Sequence, residues 1–343
     1  MITSTPFAQF LNQEVTLFVL ENDFLKVEIL NYGCILKSIV YKPLQRETIC
    51  GMSTLKAYQG QNFYLGALVG RVGNRINKGQ FVLNGNSYQL PLNGTHHLHG
   101  GPDGYDKRLF KAVIEKEVLS LSLLSNDGDQ GYPGTLQLEQ RYFLKENELH
   151  IETFSMCDQD TLCDPTQHSY FNLNPDQNHS ILNHHLKLNS KLLYEIESDG
   201  CTVPQQLNLK DSCFDFSKGQ RIEKAMDFSH PQIQRAKGID HYFLKEDQND
   251  PCFCELSVDD LCLGINTTLP GAHVYSGNYL APLKAYSLPF MKENGGICFE
   301  TQHVPNAINF DEKLAPVLKA NSPYHCLTIY NYESRGTYGN KKL

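Results

Sequence analysis

The chain has 343 residues, of which 41% are hydrophobic and 20% are charged, a composition typical of a folded globular protein and not of a disordered one. Its 38 acidic residues outnumber its 30 lysines and arginines, so the formal net charge is −8. Because the basic residues are also scattered, the sequence argues against nucleic acid or an acidic membrane surface as a partner.

The N-terminal region and the cysteines bear on the cellular compartment of the protein. The apolar stretch at 15–20 is too short for a signal-peptide core or a membrane span, and no basic residue precedes it. The eleven cysteines lack the spacing of a disulfide framework, so we expect reduced thiols in a cytoplasmic protein. Cys252 and Cys254 have no second pair at zinc-finger spacing, and we interpret them as small buried thiols on a strand.

Alternation of apolar and polar residues predicts β-strands along most of the chain. Segments 135–144 and 148–154 alternate on either side of a polar turn, which predicts a β-hairpin. Further strands are predicted at 24–30, 34–41, 80–85, 119–124, 184–190 and 326–332.

Helical periodicity is rare. One short helix is predicted within 227–236, broken near Pro231. We find no linker, repeat or change of composition that would divide the chain. The sequence therefore predicts a single all-β domain over 1–343, built as a large antiparallel β-sandwich.

The first segment that departs from alternation is GRVGNRINKG, at 70–79. Its glycines allow tight turns close to a ligand, while Arg71, Asn74 and Arg75 supply several hydrogen-bond donors. A capped surface loop is the alternative interpretation. The spacing of a phosphate-binding P-loop is absent.

The second segment is NGTHHLHGG, at 93–101. On a strand, His97 and His99 would share one face, with His96 on the other. Such an H-x-H pair can begin a metal site of the cupin type, which also needs a glutamate and a further histidine. No downstream cluster has tight ligand spacing, so we expect a site without metal.

The third segment is TQHSYFNL, at 166–173. As a strand it would carry His168, Tyr170 and Asn172 on one face, with Phe171 and Leu173 on the other. The polar face is either exposed to solvent or part of a binding groove.

The fourth segment is GGICFETQHVPNAIN, at 295–309. On a central strand Glu300, which shares a face with Cys298, would be partly desolvated, and burial raises a carboxyl pKa and makes it a better base. An edge strand in water is the alternative. Two weaker polar segments are GIDHYF with Asp240 and LPGAHVYSGNYL with His273.

Taken in order, eight segments resemble those of the aldose 1-epimerases, the galactose mutarotases. They are GRVGNRINKGQFVLNG, HLHGG, GYDKRLF, SNDGDQGYPG, DPTQHSYFNL, GIDHYF, LPGAHVYSGN and CFETQHVPNAIN. They follow the family's order and cover nearly the whole chain. The resemblance implies a β-supersandwich (galactose mutarotase-like) fold, no metal or cofactor, and interconversion of the α and β anomers of free hexoses such as galactose and glucose.

The resemblance also implies roles for individual residues. His168 matches the family's general acid, Glu300 its general base, and His99 a second histidine at the ring oxygen. The sugar-contacting positions are Asn74, Arg75, Tyr170, Asp240 and His273. Three departures bear on substrate preference: His273 where many relatives carry glutamine, Phe110 where tryptophan is common, and Asn306 where aspartate is usual.

Mutarotation opens a cyclic hemiacetal and closes it on the other face. An ionised Glu300 would take the proton of the C1 hydroxyl while a protonated His168 donates one to the ring oxygen. The unperturbed histidine pKa of about 6.5 suits this role, and we hypothesise that a nearby Asp240 raises it. His99 would donate to the developing oxyanion.

Three other functions remain open on the residues alone. A non-catalytic sugar-binding protein would have lost His168 or Glu300, and neither is replaced. A hexose-phosphate epimerase would need a cationic cluster, for which Arg71 and Arg75 are candidates, and a glycoside hydrolase would use two carboxylates such as Asp240 and Glu300. The preferred aldose stays open, and we expect a monomer or weak homodimer.

Overall fold

The structure, a computed structural model, describes residues 1–282 and 290–334. Its larger sheets have five, nine and six strands, and all of their pairings are antiparallel. The five-stranded sheet is formed by the N-terminal region, in the order β1 (Ile2–Phe10), β2 (Gln13–Glu21), β3 (Leu25–Leu30), β4 (Leu36–Tyr41) and β5 (Arg46–Glu47).

The nine-stranded sheet spans most of the molecule. Its spatial order is β11 (Lys111–Glu115), β12 (Val118–Ser125), β13 (Leu136–Lys145), β14 (Glu148–Cys157), β28 (Tyr324–Ser334), β24 (Leu261–Thr267), β23 (Cys252–Val258), β18 (His185–Leu188) and β21 (Gln220–Arg221). Strands β13 and β14 form the predicted hairpin, and their ladder runs from Leu136 opposite Cys157 to Lys145 opposite Glu148.

The six-stranded sheet carries the site described below. Its order is β17 (Tyr170–Phe171), β26 (Ile297–Gln302), β25 (Gly271–Tyr275), β22 (Asp240–Lys245), β19 (Ser190–Ile196) and β20 (Thr202–Asn208). Apolar side chains from one face of this sheet, such as Phe299 and Phe243, share a core with the nine-stranded sheet. The rings of Phe171 and Tyr330 meet edge to face across that core, with centroids 5.1 Å apart. The all-β sandwich prediction is confirmed.

Short elements complete the described chain. The two-stranded pairs are β6 (Leu68–Val69) with β16 (Thr166–Gln167), β7 (Arg75–Ile76) with β10 (His97–Leu98), β8 (Gln80–Leu83) with β9 (Asn86–Gln89), and β15 (Thr161–Leu162) with β27 (Val317–Leu318). The α-helices are α1 (Leu55–Gln59), α2 (Ile222–Ala225) and α3 (Pro231–Ala236). The 3₁₀ turns are Lys42–Leu44, Asn77–Gly79, Tyr105–Lys107, Asp129–Gly131, Ile181–Asn183, Ala307–Asn309 and Glu312–Leu314.

Two local predictions were wrong. Pro231 begins α3 and does not break it, because the first turn of a helix has no partner for the N–H that proline lacks. The segment 166–173 is not one strand: β16 and β17 belong to different sheets, with His168 and Ser169 between them. The backbone of His168 makes two hydrogen bonds with the preceding segment at residues 66 and 67. The Gly66 N–H donates to His168 O, and the His168 N–H donates to Ala67 O.

Across the part of the chain that the structure describes, every helix is too short or too polar to traverse a lipid bilayer.

The two faces of β12 offer a matched test of the sandwich core. Leu121 is 0% exposed and Leu124 is 55% exposed, on the same strand. Leu121→Ala should lower the free energy of unfolding by about 2–5 kcal/mol, because the substitution removes buried methyl groups and leaves a cavity. Leu124→Ala should change it by about 0.5 kcal/mol or less. Urea unfolding measures both, and equal losses would contradict the assignment of the buried face.

Candidate active site

A cavity of about 190 Å³ lies on the face of the six-stranded sheet that points away from the shared core. It brings together His99, His168, Glu300, Asn74, Arg75, Tyr170 and Asp240 from distant parts of the chain. The other lining residues are Asn62, Phe63, Tyr64, Leu98, Tyr275 and Tyr279. The residues predicted to carry catalysis therefore share one concave surface.

A larger groove, of about 1110 Å³, crosses the outer face of β11 to β14. Among the described residues that line it there is no histidine, and its charged side chains include the neighbouring pair Glu139 and Arg141, 2.8 Å apart. Lining chemistry rather than volume therefore assigns the site to the smaller cavity.

Glu300 stands at the centre of the cavity floor. It lies on β26, which is flanked by β17 and β25, and its side chain is only 2% exposed. Its Oε2 atom has no hydrogen-bond partner among the described residues. Burial raises the pKa of Glu300 to about 8, an effect that Asp240 reinforces and Arg75 opposes. The central-strand interpretation is confirmed, and the edge-strand alternative is wrong.

His168 faces Glu300 from the segment between β16 and β17. Its Nε2 atom lies 3.6 Å from Glu300 Oε1, and its Nδ1 atom lies 3.5 Å from Cys298 Sγ. Burial lowers the pKa of His168 to about 4, and this shift is opposed by a hydrogen bond of the ring to its own backbone and, less strongly, by the attraction of Asp240. The hypothesis that Asp240 raises the pKa of His168 thus has the right sign, but burial outweighs it.

His99 completes the group at a sharp turn of the chain. Its φ is 51°, which carries it out of β10, and its Nδ1 accepts a 3.1 Å hydrogen bond from the backbone N of Asn74. A neutral ring held in this way keeps its proton on Nε2. Burial lowers the pKa of His99 well below its ordinary value. The ring of Tyr64 packs against it, with centroids 4.6 Å apart.

His97 does not act with His99, contrary to the prediction that the two share a strand face. Its ring nitrogens bond Pro91 O at 2.7 Å and the hydroxyl of Tyr132 at 2.9 Å. Strand β10 ends at Leu98, so the alternation stops one residue before His99. His97 is a buried structural histidine.

Asp240 and Arg75 supply opposite charges to the cavity wall. Burial by itself would raise the pKa of Asp240, but the hydrogen bond from His273 and the charge of Arg75 hold it below its ordinary value. His273 Nε2 lies 2.7 Å from Asp240 Oδ1. His273 is absent from the described lining of the cavity, whereas its partner Asp240 is part of it. Gly200 leaves room for Arg75: a Cβ there would lie 2.9 Å from the guanidinium carbon.

Two residues of the predicted polar segments make hydrogen bonds that stabilise the fold. Arg71 is 2% exposed, and its guanidinium donates to Ser125 Oγ at 2.7 Å and to Pro133 O at 2.9 Å. Asn172 donates to the carbonyl oxygens of His179 and Gly295, both at 2.9 Å. Neither lines the cavity.

The departures at Phe110 and Asn306 also lie away from the cavity lining. Phe110 is buried in the core. Asn306 has a φ of 60°, accepts from the backbone N of Asn77 and donates to Thr202 O. An asparagine tolerates this left-handed conformation well.

Sequence reasoning assigned Tyr170 to the site but not the other three tyrosines of the cavity wall. Tyr64, Tyr275 and Tyr279 line the cavity, and the ring of Tyr64 lies 5.8 Å from that of His168. Tyr64 has a φ of 55°, so it sits on an irregular loop where periodicity carries no information. In the sequence, the only sign that residues 62–64 belong to a binding site is that two of the three, Phe63 and Tyr64, are aromatic.

One group in the described chain could hold a metal ion. His99, His168 and Glu300 each offer one ligand atom, and these atoms lie within 4.8 Å of one another. The same three side chains are the ones predicted from the sequence to be catalytic. Two histidines and a carboxylate suit a transition metal as well as acid–base chemistry.

Comparisons with known proteins agree with this architecture. The family model for aldose 1-epimerase matches residues 16–331. A galactose mutarotase from Sus scrofa is 32% identical over 321 residues, covering 91% of this chain and 92% of its own. An aldose 1-epimerase from Haemophilus influenzae is 33% identical over 328 residues, covering 92% and 95%.

A solved structure is similar over almost the whole fold. The galactose 1-epimerase from Lactobacillus acidophilus NCFM superposes with a TM-score of 0.86 at 27% sequence identity, covering 97% of this chain and 99% of that one. Together, these findings define the class of the protein: it has the fold of a sugar isomerase, with a buried His–Glu site. This chain belongs to the aldose 1-epimerase family.

The Glu300 carboxyl should titrate near pH 8 in the ligand-free protein, because burial disfavours the carboxylate. Carboxyl ¹³C NMR of protein labelled at glutamate measures this, and Glu300→Gln identifies the signal. The remaining glutamate signals serve as the internal reference. Titration at the unperturbed glutamate value of roughly 4.3 would contradict the buried position.

Proposed function

We propose that this chain is a mutarotase that interconverts the α and β anomers of free hexoses such as galactose and glucose. The observation that carries the proposal is the facing pair Glu300 and His168, 3.6 Å apart at the floor of a cavity lined by sugar-compatible polar groups. Hemiacetal opening needs one base and one acid within reach of the same ring, and this pair supplies both.

The proton count of the pair suits the reaction. Burial raises the pKa of Glu300 to about 8 and lowers that of His168 to about 4, so near neutrality the pair holds one proton, on Glu300. Moving that proton to His168 yields the carboxylate base and the imidazolium acid. The order of the two pKa values is opposite to the order that the reaction needs, so this transfer costs free energy in the ligand-free protein. Sugar hydroxyls that donate to Glu300 would reduce this cost, because a hydrogen bond to the charged form favours it.

The reaction then proceeds with the two groups in complementary roles. Glu300 takes the proton of the C1 hydroxyl while His168 Nε2 protonates the ring oxygen, and the ring opens to an aldehyde. Rotation about C1–C2 presents the other face, and the same two groups reverse their roles as the ring closes. His99, whose Nδ1 is engaged by the backbone of Asn74, has its Nε2 proton available for the ring oxygen.

The cavity wall provides groups for holding the sugar. Arg75 and Asn74 offer hydrogen-bond donors, and the ionised Asp240 offers acceptors for paired hydroxyls. Tyr170 lies with its ring 5.1 Å from that of His168 and contributes contact to the floor. His273 would act by orienting Asp240.

A phosphorylated hexose is less well supported as the substrate. Of the two arginines considered for a phosphate site, Arg71 is bound to backbone carbonyls and hydroxyls in the interior. Arg75 is then the only arginine in the described cavity lining, and it faces Asp240 and Glu300. A lone arginine beside two carboxylates favours a neutral sugar.

We extend the proposal to the setting of the protein. One large core cluster contains side chains from all three large sheets, which supports a single domain. None of the cysteines in the described residues forms a disulfide, which supports a reducing, cytoplasmic location. A monomer or weak homodimer remains our proposal for the assembly.

Fresh α-D-galactose and α-D-glucose should lose optical rotation faster in the presence of this protein, and EDTA should not abolish the effect. Glu300→Gln and His168→Asn should each lower kcat about 10²–10⁴-fold, because each removes one positioned proton transfer. Polarimetry at fixed temperature measures the rates.

Two matched variants control for folding and charge. His325→Asn changes a histidine that is 47% exposed, and Glu146→Gln changes an exposed glutamate. Both should retain wild-type rates. Absence of acceleration by folded wild-type protein with either sugar would overturn the function, and loss of activity in EDTA that added Zn²⁺ restores would overturn the metal-free mechanism.

The dependence of kcat/KM on pH should be bell-shaped, with limbs near pH 4 and pH 8. Below the lower limb both Glu300 and His168 are protonated and no base remains. Above the upper limb both are deprotonated and no acid remains. These values belong to the pair and not to either residue alone. Activity that keeps rising above pH 9 would contradict the one-proton scheme.

A further inference from the structure

Side chains of one strand lie beside both ring nitrogens of His168. Cys298 and Glu300 are two residues apart on β26 and therefore share a face. Cys298 Sγ lies 3.5 Å from Nδ1, and Glu300 Oε1 lies 3.6 Å from Nε2. The ladder places Cys298 opposite Tyr170, two residues after His168, so strand pairing sets this geometry.

The Cys298–His168 contact is fully enclosed. Cys298 is 0% exposed and His168 is 4% exposed, so water does not compete for Nδ1. A distance of 3.5 Å between nitrogen and sulfur is within the range of a hydrogen bond to a thiol. Burial raises the pKa of Cys298 well above its ordinary range, so the thiol stays neutral.

We propose that Cys298 is a positioning residue whose sulfur accepts the Nδ1 hydrogen bond of His168 and leaves Nε2 as the proton-exchanging nitrogen. The inference rests on the proposed acid role of His168. In this arrangement Nδ1 keeps its proton when the ring is charged and when it is neutral. Ring opening therefore moves only the Nε2 proton, from nitrogen to the sugar ring oxygen, and closure returns it.

A sulfur acceptor at Nδ1, in place of a carboxylate, affects how strong an acid His168 is. A carboxylate on the rear nitrogen of a catalytic histidine stabilises the imidazolium and makes it a weaker acid. A neutral thiol is only a weak acceptor, so it fixes the tautomer and the ring orientation without that stabilisation. His168 thus remains an acid strong enough to protonate an ether-like ring oxygen.

Three variants separate positioning from packing. Cys298→Ala removes the sulfur beside the buried Nδ1 and should lower kcat about tenfold with KM changed less than about twofold. Cys298→Ser restores an acceptor of similar size and should recover kcat to within about threefold of wild type. Cys254→Ala removes another buried thiol, in the nine-stranded sheet, and should leave both constants unchanged.

Imidazole ¹⁵N NMR supplies a readout that does not depend on turnover. In wild type above the lower pH limb, the His168 ring should show a protonated Nδ1 and an unprotonated Nε2, whereas Cys298→Ala should show a mixture of tautomers. A wild-type ring protonated at Nε2 would overturn the proposal. So would kcat values within about twofold of wild type in both Ala and Ser variants.

The same spectra distinguish a failure of the proposed function from a failure of the positioning role of Cys298. If folded wild-type protein does not accelerate mutarotation of either hexose but its His168 ring shows the Nδ1–H tautomer only when Cys298 is present, the proposed function fails and the positioning contact stands. If mutarotation is fast but the tautomer is independent of Cys298, the positioning proposal fails alone.

Discussion

The candidate site depends on the burial of a carboxyl group against an imidazole at the floor of a β-sheet cavity. Glu300 is almost fully enclosed on a central strand, and His168 lies 3.6 Å away with a similar degree of enclosure. Low polarity disfavours both charged forms, so it drives the two pKa values in opposite directions. One physical cause therefore leaves the pair with a single proton near neutrality, held on Glu300 in the ligand-free protein.

The sandwich supplies the rigidity that this arrangement needs. One face of the six-stranded sheet packs on the nine-stranded sheet through rings such as Phe171, Phe299 and Tyr330. The opposite face of the same strands carries the polar groups, because side chains alternate. A shift of one residue in β26 would exchange Glu300 for Phe299 at the cavity, so packing of the core enforces the register of the site.

Loop residues complete the wall of the cavity and contact its charged groups. His99 and Tyr64 both have positive φ, so both lie outside the regular strands, and both line the cavity. His273 contacts Asp240 at the cavity wall, and Gly200 makes room for Arg75. Membership in the aldose 1-epimerase family and the buried His–Glu pair thus point to the same chemistry.

The sequence by itself determined the strands with clear alternation, such as the hairpin of β13 and β14, because period-two patterning follows directly from one buried face. Its ordered motifs also identified the family and most of the cavity lining. Tertiary structure alone decided that 166–173 divides between two sheets, that His97 and Arg71 are structural, and that burial outweighs Asp240 at His168. These outcomes depend on which distant segments enclose a side chain, and enclosure sets hydrogen-bond partners and pKa values that no local pattern encodes.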